Sequence, residues 1–321
     1  MREGMIPRYL SDGAAQGYVS GSEERPLVFL VVLSLLLAAS SAPETTPLPV
    51  RIDGPAVIAL RLDKSERGNE EPWSRTVLDY RVDLGAADED GWRTALWRLN
   101  AIDGQAMTPD TSPTPDLRFV VDEALAPSRL ENLDEILERL ENRSDEGDGA
   151  IVEAMRGLSP EAAGALFASD ATLVARGQGT DLYLGEDYVY EQQGLLPFGG
   201  TPVVMTGVYR LESLDPQTQT ARVTWSMQID PKALMTAIPA MIRGMIQASG
   251  EWKSDDAEMM AKVERMIASA RLENTRQCSF VVSTVTGLAE KVDCTTRVAF
   301  SVGSESRVRE SRLLATQTLM K

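Results

Sequence analysis

The residues of this 321-residue chain with the most suggestive type and spacing are methionines, of which it has thirteen. Flexible thioether side chains suit a surface that repacks around varied apolar partners. The same residues can also fill an ordinary core between helices and a sheet, and this alternative stays open. Six methionines fall in two amphipathic segments that follow a predicted hairpin: Met235, Met241, Met245, Met259, Met260 and Met266.

The two cysteines of the chain, Cys278 and Cys294, indicate a disulfide. If residues 285–287 form the turn of a hairpin, its centre falls near Thr286, which places the cysteines opposite each other. The Cβ atoms of directly opposed residues lie about 4.5–5.5 Å apart, close to disulfide reach. Two buried free thiols are the alternative. A redox-active pair is not expected, because the chain has no Cys-x-x-Cys motif.

Several classes of catalysis are excluded by composition and motif. The chain has no histidine, which excludes Ser-His-Asp and Cys-His catalysis and imidazole zinc sites. It also has no Gly-Lys phosphate loop, no Gly-x-Ser-x-Gly elbow and no Ser-x-x-Lys motif. These absences predict that the protein is not an enzyme and uses no cofactor.

Carboxylates are the remaining candidates for chemistry. The densest clusters, residues 88–90 and 145–148, lack the alternating ligand spacing of a calcium loop, so we expect solvated loops and no metal site. Paired carboxylates could hydrolyse glycosides, but the sequence singles out no pair among its 48 acidic residues. A carboxylate-based hydrolase is therefore kept only as a second alternative function.

The clearest structural element is a β-hairpin at residues 203–230. Its second strand alternates apolar and polar residues, with Trp225 and Met227 on the apolar face, and its first strand places Met205 and Tyr209 on one face. A polar turn at residues 215–218 joins the two strands. With the helices that follow, this face predicts an apolar cleft lined by Met205, Tyr209, Trp225, Met227, Leu234, Ile238, Met241, Met245, Met259 and Met266.

Strands and helices come in blocks rather than in alternation. This order predicts an α+β fold: a large curved antiparallel sheet, half-barrel-like, with amphipathic helices packed on its inner face. The exported domain is expected at residues 57–321, with two similar halves (57–176 and 180–321) as a possible subdivision. The predicted strands are 57–62, 75–85, 92–102, 117–121, 277–284, 288–302 and 307–319, a charged loop spans 63–72, and helices are predicted at 128–143, 159–176 and 255–272 and after Asp230.

The N-terminal region predicts export. An apolar run from Leu27 to Ala39 is followed by small residues and then by a Pro-rich arm at residues 43–56. About 13 residues are too few for a comfortable transmembrane helix and fit the core of a signal peptide, here residues 1–42. The preceding flank is not basic, so an uncleaved anchor is the alternative. We expect a periplasmic or secreted protein.

The strongly acidic composition limits the class of partner. The net charge of −16 argues against nucleic acid or anionic lipid headgroups as a main partner, because both require a basic footprint. We therefore expect no nucleic-acid partner and a monomeric protein, with a lipid, another apolar ligand or an envelope protein as the partner.

The combination of a signal peptide, a long antiparallel sheet with turns such as Asp215-Pro216 and Thr286-Gly287, and helices on its concave side resembles the LolA/LppX-type periplasmic lipoprotein carriers. The resemblance is architectural, covers Val50 to Lys321 and includes no diagnostic motif; secreted proteins of Gram-negative bacteria in general are also similar. It implies a binding protein that holds an acyl chain or other apolar ligand between the sheet and the Met-rich helices. The alternative is an envelope structural or protein-interaction domain without a small ligand.

Overall fold

The computed structural model describes residues 45–69, 71–108, 111–113, 115–142, 152, 155–194, 203–230, 233, 271–302 and 305–320. The predicted signal peptide lies outside these residues, as do nearly all of the predicted Met-rich helices. Residues Glu44–Lys321 form one compact unit. No helix in the described ranges is long and apolar enough to cross a membrane.

The described part of the chain is mainly antiparallel sheet, with short helices, which confirms the predicted fold class. The helices are α1 (Leu133–Glu141), α2 (Pro160–Phe167) and α3 (Ser169–Ala175). The strands are β1 (Thr46–Leu48), β2 (Ala56–Gly68), β3 (Ser74–Leu84), β4 (Arg93–Ile102), β5 (Gln105–Ala106), β6 (Leu117–Val121), β7 (Pro127–Leu130), β8 (Thr180–Leu182), β9 (Asp187–Gly194), β10 (Val203–Asp215), β11 (Thr220–Ile229), β12 (Arg271–Ser283), β13 (Ala289–Val302) and β14 (Glu305–Met320).

Twelve of these strands form one curved sheet in the order β7-β6-β4-β3-β2-β14-β13-β12-β11-β10-β9, with β5 paired to β4. The chain therefore starts at the middle of the sheet, runs to one edge, crosses to the other edge and returns to the middle. The last strand, β14, pairs with β2 along its length. The Pro-rich arm contributes β1, which pairs with β8 in a small second sheet.

One face of the sheet carries the core and the other carries charge. The apolar face, called the inner face here, includes Leu60 on β2, Trp225 on β11 and Phe280 on β12, all at most 2% exposed. Helix α3 lies against this face, where Ala171 and Val174 line a cavity of about 20 Å³ shared with β2, β3, β4, β6 and β14. That volume holds about one water molecule, so this half of the inner face is a filled core.

The predicted charged loop at residues 63–72 is wrong for residues 63–68, which continue strand β2. Charged side chains are compatible with this strand because neighbouring elements neutralise them. Arg75 Nη2 lies 2.5 Å from Asp63 Oδ2, and Arg67 donates to Glu310 across the β2–β14 pair. Strand β2 therefore extends beyond the apolar segment from which it was predicted, into the charged residues 63–68.

The first predicted helix starts too early. Residues 127–130 form β7, paired with β6, and α1 begins only after Asn132. The Asn132 side chain accepts from Arg118 N–H and donates to Asp116 C=O, so a sheet contact overrides the helical pattern there. The predicted cap at Ser159 is confirmed, since its hydroxyl accepts from Ala162 N–H at 3.2 Å. Residues 271 and 272, predicted as helix, begin β12.

The turn between β12 and β13 contains a glycine that both conformation and packing require. Gly287 has φ +73°, and a Cβ atom there would lie 2.0 Å from Pro49 O. The arm also docks on this turn through Arg51 N–H, which donates to Thr286 C=O at 2.8 Å. The turn therefore ties β1 to the sheet.

Replacing Gly287 by alanine is expected to lower the free energy of unfolding by about 1–2 kcal/mol, because alanine is strained at positive φ and its methyl group would displace the arm. Urea denaturation measures the change. Gly104→Ala is a matched control, since Gly104 has φ +81° with open space around it. Equal losses for the two variants would show that the contact with Pro49 contributes nothing.

Candidate functional site

The structure places four of the predicted cleft residues on one patch of the inner face. Met205 and Tyr209 lie on β10 and Trp225 and Met227 on β11, with Tyr209 opposite Trp225. Trp225 is 1% and Met227 8% exposed, whereas Met205 and Tyr209 are only half-buried. The other predicted cleft residues, Leu234, Ile238, Met241, Met245, Met259 and Met266, lie outside the described residues.

Strand β9 adds an aromatic residue that sequence reasoning missed. The Tyr190 ring stacks on Tyr209 with 5.6 Å between centroids, and Tyr209 lies 6.3 Å from Trp225. Trp225 Nε1–H donates to the Tyr190 hydroxyl at 2.9 Å. The Tyr190 ring lies over Gly207, its register partner on β10. Only glycine leaves room for the ring, because a Cβ atom at residue 207 would lie 2.3 Å from Tyr190 Cε1. Three aromatic side chains thus form one continuous surface.

An arginine that follows α3 lies over this aromatic surface. The guanidinium carbon of Arg176 is 4.5 Å from the Trp225 ring centroid, a cation–π distance. Arg176 Nη1 donates to the Tyr190 hydroxyl at 3.3 Å. Its Nε–H is buried and has no hydrogen-bond partner. Burial raises the pKa of Tyr209 to about 12 although Arg176 favours the phenolate, so Tyr209 is neutral at pH 7.

A second arginine, Arg276 on β12, lies on the same face and was also missed. It pairs in register with Met227, and its Nε–H donates to Thr296 Oγ1 at 3.0 Å. Burial lowers the pKa of Arg276, and the positive charge of Arg176 lowers it further, while Asp170 opposes the shift. Arg276 nevertheless stays protonated at neutral pH, because arginine is not deprotonated in proteins.

The acidic group near these arginines already has a partner. Asp170 on α3 accepts from Lys64 Nζ at 2.7 Å. With Lys64, Arg176 and Arg276, this cluster has three positive charges and one negative charge. Among the residues that the structure describes, this cluster on the inner face is therefore net positive, although the total charge of the protein is −16.

The disulfide prediction is confirmed, and its position adjoins the aromatic surface. Cys278 and Cys294 are bonded and face each other in the β12–β13 register, with 4.0 Å between Cα atoms. Both are almost fully buried. Cys278 is also the register partner of Trp225. The bridge thus links β12, the strand that carries Arg276, to β13, while β11 with Trp225 pairs with the opposite edge of β12.

The carboxylates of the described residues serve turns and ion pairs. Asp88 Oδ1 accepts from the N–H groups of Asp90 and Trp92, which closes the β3–β4 turn. Burial raises the pKa of Asp122, whose side chain accepts from Ala124 and Ala126 N–H and shapes the β6–β7 turn. No group of three potential metal ligands occurs among the residues that the structure describes.

The position of Arg276 in the alternating pattern of its strand could have identified it from the sequence. It occupies the apolar face of an alternating strand, two residues before Cys278 and four before Phe280, where an unpaired charge is costly. Arg176 carries no comparable signal, because it follows a helix end and reaches Trp225 only through the tertiary fold.

Comparisons with known proteins give little information. No protein-family model and no curated protein matches the chain. One solved structure with weak similarity is the loop L8 deletion mutant of OmpT, an outer membrane protein of Vibrio cholerae. The match has 5% sequence identity, covers 83% of this chain and 100% of that chain, and has a TM-score of 0.20, which is too low to indicate a shared fold.

We correct the sequence-based prediction that the protein is not an enzyme. That prediction was based on missing residues and motifs, which exclude only the classes of catalysis that require them, and the similarity to OmpT is too weak to support it. The resemblance to the LolA/LppX-type carriers stays a prediction.

Proposed function

We propose that the protein is an exported binding protein that holds an apolar ligand, such as a lipid or acyl chain, against the inner face of its sheet. The observation that carries this proposal is the aromatic surface of Tyr190, Tyr209 and Trp225 with the flanking Met205 and Met227. Tyr209 and Met205 keep part of their surface accessible. A concave, mainly apolar face with a few polar groups is the usual form of a small-molecule site.

The disulfide supports export independently of the N-terminal sequence. Disulfides persist in oxidising compartments and are rare in reducing ones, and Cys278–Cys294 is buried in the core rather than exposed. With the apolar run at Leu27–Ala39, this favours a periplasmic or secreted protein with a removed signal peptide.

The second candidate is an envelope structural or protein-interaction domain without a small ligand. The filled core beneath α3 favours it, because the cavity there has a volume of only about 20 Å³. A ligand would therefore have to bind over β9–β12 rather than over β2–β6.

The proposed function is tested by native mass spectrometry of the purified protein and by binding of the neutral apolar dye N-phenyl-1-naphthylamine. We expect a co-purifying apolar molecule or a saturable rise in dye fluorescence. Met205→Gln, which makes the half-buried inner face polar, is expected to weaken dye binding about fivefold. Val189→Thr on neighbouring β9 is the control, since Val189 is 61% exposed and should leave binding unchanged.

A protein that carries no ligand and does not bind the dye would contradict the proposal and favour the structural alternative. Equal effects of the two substitutions would place the ligand away from the inner face.

A further inference from the structure

The aromatic surface described above has two cationic groups that no described acid pairs with. Arg176 lies over Trp225, and Arg276 lies beside Met227 on the neighbouring strand. Neither guanidinium makes an ion pair with a carboxylate within the described ranges, where most of the other arginines do. Both are therefore free to bind an anion.

The unused hydrogen-bond donors of Arg176 and Arg276 also indicate that these residues can bind an anion. A guanidinium has five N–H donors in a planar fork that matches a carboxylate or a phosphate. Among described residues, Arg276 donates only through Nε, to Thr296. Arg176 donates through Nη1 to Tyr190 and also interacts with the Tyr209 hydroxyl, but its buried Nε–H has no acceptor. A buried donor without an acceptor is costly, and an anion would supply the acceptors.

The charge balance of the cluster adds a second reason. Two guanidinium groups that share a partly buried face repel each other, and this repulsion is stronger there than in water. Asp170 offsets one positive charge, but Lys64 already uses that carboxylate. An anion bound beside both arginines would offset the remaining charge.

We propose that Arg176 and Arg276 bind the anionic head group, a carboxylate or a phosphate, of the apolar ligand whose chain lies on the half-buried Tyr209 and Met205. This inference rests on the proposed function and narrows it to anionic amphiphiles. Tyr209 and Met205 contact the chain, and the guanidinium groups select the charged end.

The test uses competition against N-phenyl-1-naphthylamine by three probes with the same alkyl chain: dodecanoate, dodecyl phosphate and 1-dodecanol. We expect at least one of the two anions to displace the dye about tenfold more effectively than the alcohol. The better of the two anions identifies the head group as carboxylate or phosphate. Equal displacement by the alcohol and both anions would overturn the inference while leaving the proposed function intact.

Variants separate charge recognition from packing. Arg276→Gln and Arg176→Gln are each expected to reduce the preferred anion's affinity about tenfold and to leave 1-dodecanol unchanged. Arg276→Lys keeps the charge and should retain most of the preference. Arg222→Gln is the matched control, because Arg222 is exposed on β11, three residues from Trp225, and its loss should change neither affinity.

Unchanged anion affinity in both Gln variants would also overturn the inference. A parallel loss of anion and alcohol binding would mean that the arginines only support the fold. If the wild-type protein binds neither the dye nor any probe, the proposed function itself fails, and the head-group assignment fails with it.

Discussion

Replacing Trp225 by alanine is expected to lower the free energy of unfolding by about 3–5 kcal/mol, because it empties a large volume in a packed core. The side chain is 1% exposed, lies opposite Tyr209 and next to Cys278 in register, and donates to Tyr190. The loss also leaves the Tyr190 hydroxyl without its donor from the indole. Urea denaturation monitored by far-UV circular dichroism measures the change.

Trp73→Ala provides the matched control, because Trp73 is 48% exposed and lies just before β3, outside the core. Its expected cost is below about 1 kcal/mol, typical of surface substitutions. A loss of less than about 1 kcal/mol for Trp225→Ala would contradict the assignment of the inner face. Losses of similar size for both variants would mean that Trp225 is no better packed than a surface residue.

Reducing the disulfide between Cys278 and Cys294 is expected to lower the free energy of unfolding by about 3 kcal/mol. The two residues are 16 apart in sequence, and releasing a loop of about this length restores conformational entropy to the unfolded chain. The bridge is almost fully buried, so reduction requires either partial unfolding or synthesis under reducing conditions. Thermal unfolding with and without reductant measures the effect.

The double variant Cys278→Ala, Cys294→Ala is the control. We expect it to unfold at about the same temperature as the reduced wild-type protein and to be insensitive to reductant. A wild-type melting temperature that reductant does not change, although free thiols are detected by titration, would show that the bridge does not stabilise the fold.

Features that depend on local geometry were predictable from sequence. The alternation of Trp225 and Met227 with polar residues identified the β10–β11 hairpin and its inner face, because side chains in a strand alternate between two faces. The cysteine pairing followed from their placement around Thr286, because a hairpin sets which residues face each other. The cap at Ser159 and the polar turn after Asp215 were equally local.

Errors arose where a distant partner decided the local structure. Residues 63–68 are charged enough to indicate a loop, but β3, β14 and α3 supply partners that support a strand. Residues 127–130 fit the helical period after them, yet pairing with β6 makes them a strand. A sequence pattern indicates which secondary structure a segment prefers, but it does not indicate which distant groups will pack against that segment.

The sequence by itself determined the α+β class, the long antiparallel strands, the hairpin and the disulfide, because each depends on residues close in the chain. Only the tertiary structure brought Arg176 and Tyr190 to Trp225, and Arg276 to the neighbouring Met227 on the same face. It also placed the last strand beside β2 at the middle of the sheet. Pairing of strands that are distant in the chain depends on how the faces of several elements pack together. The spacing of apolar residues within one segment does not determine that packing.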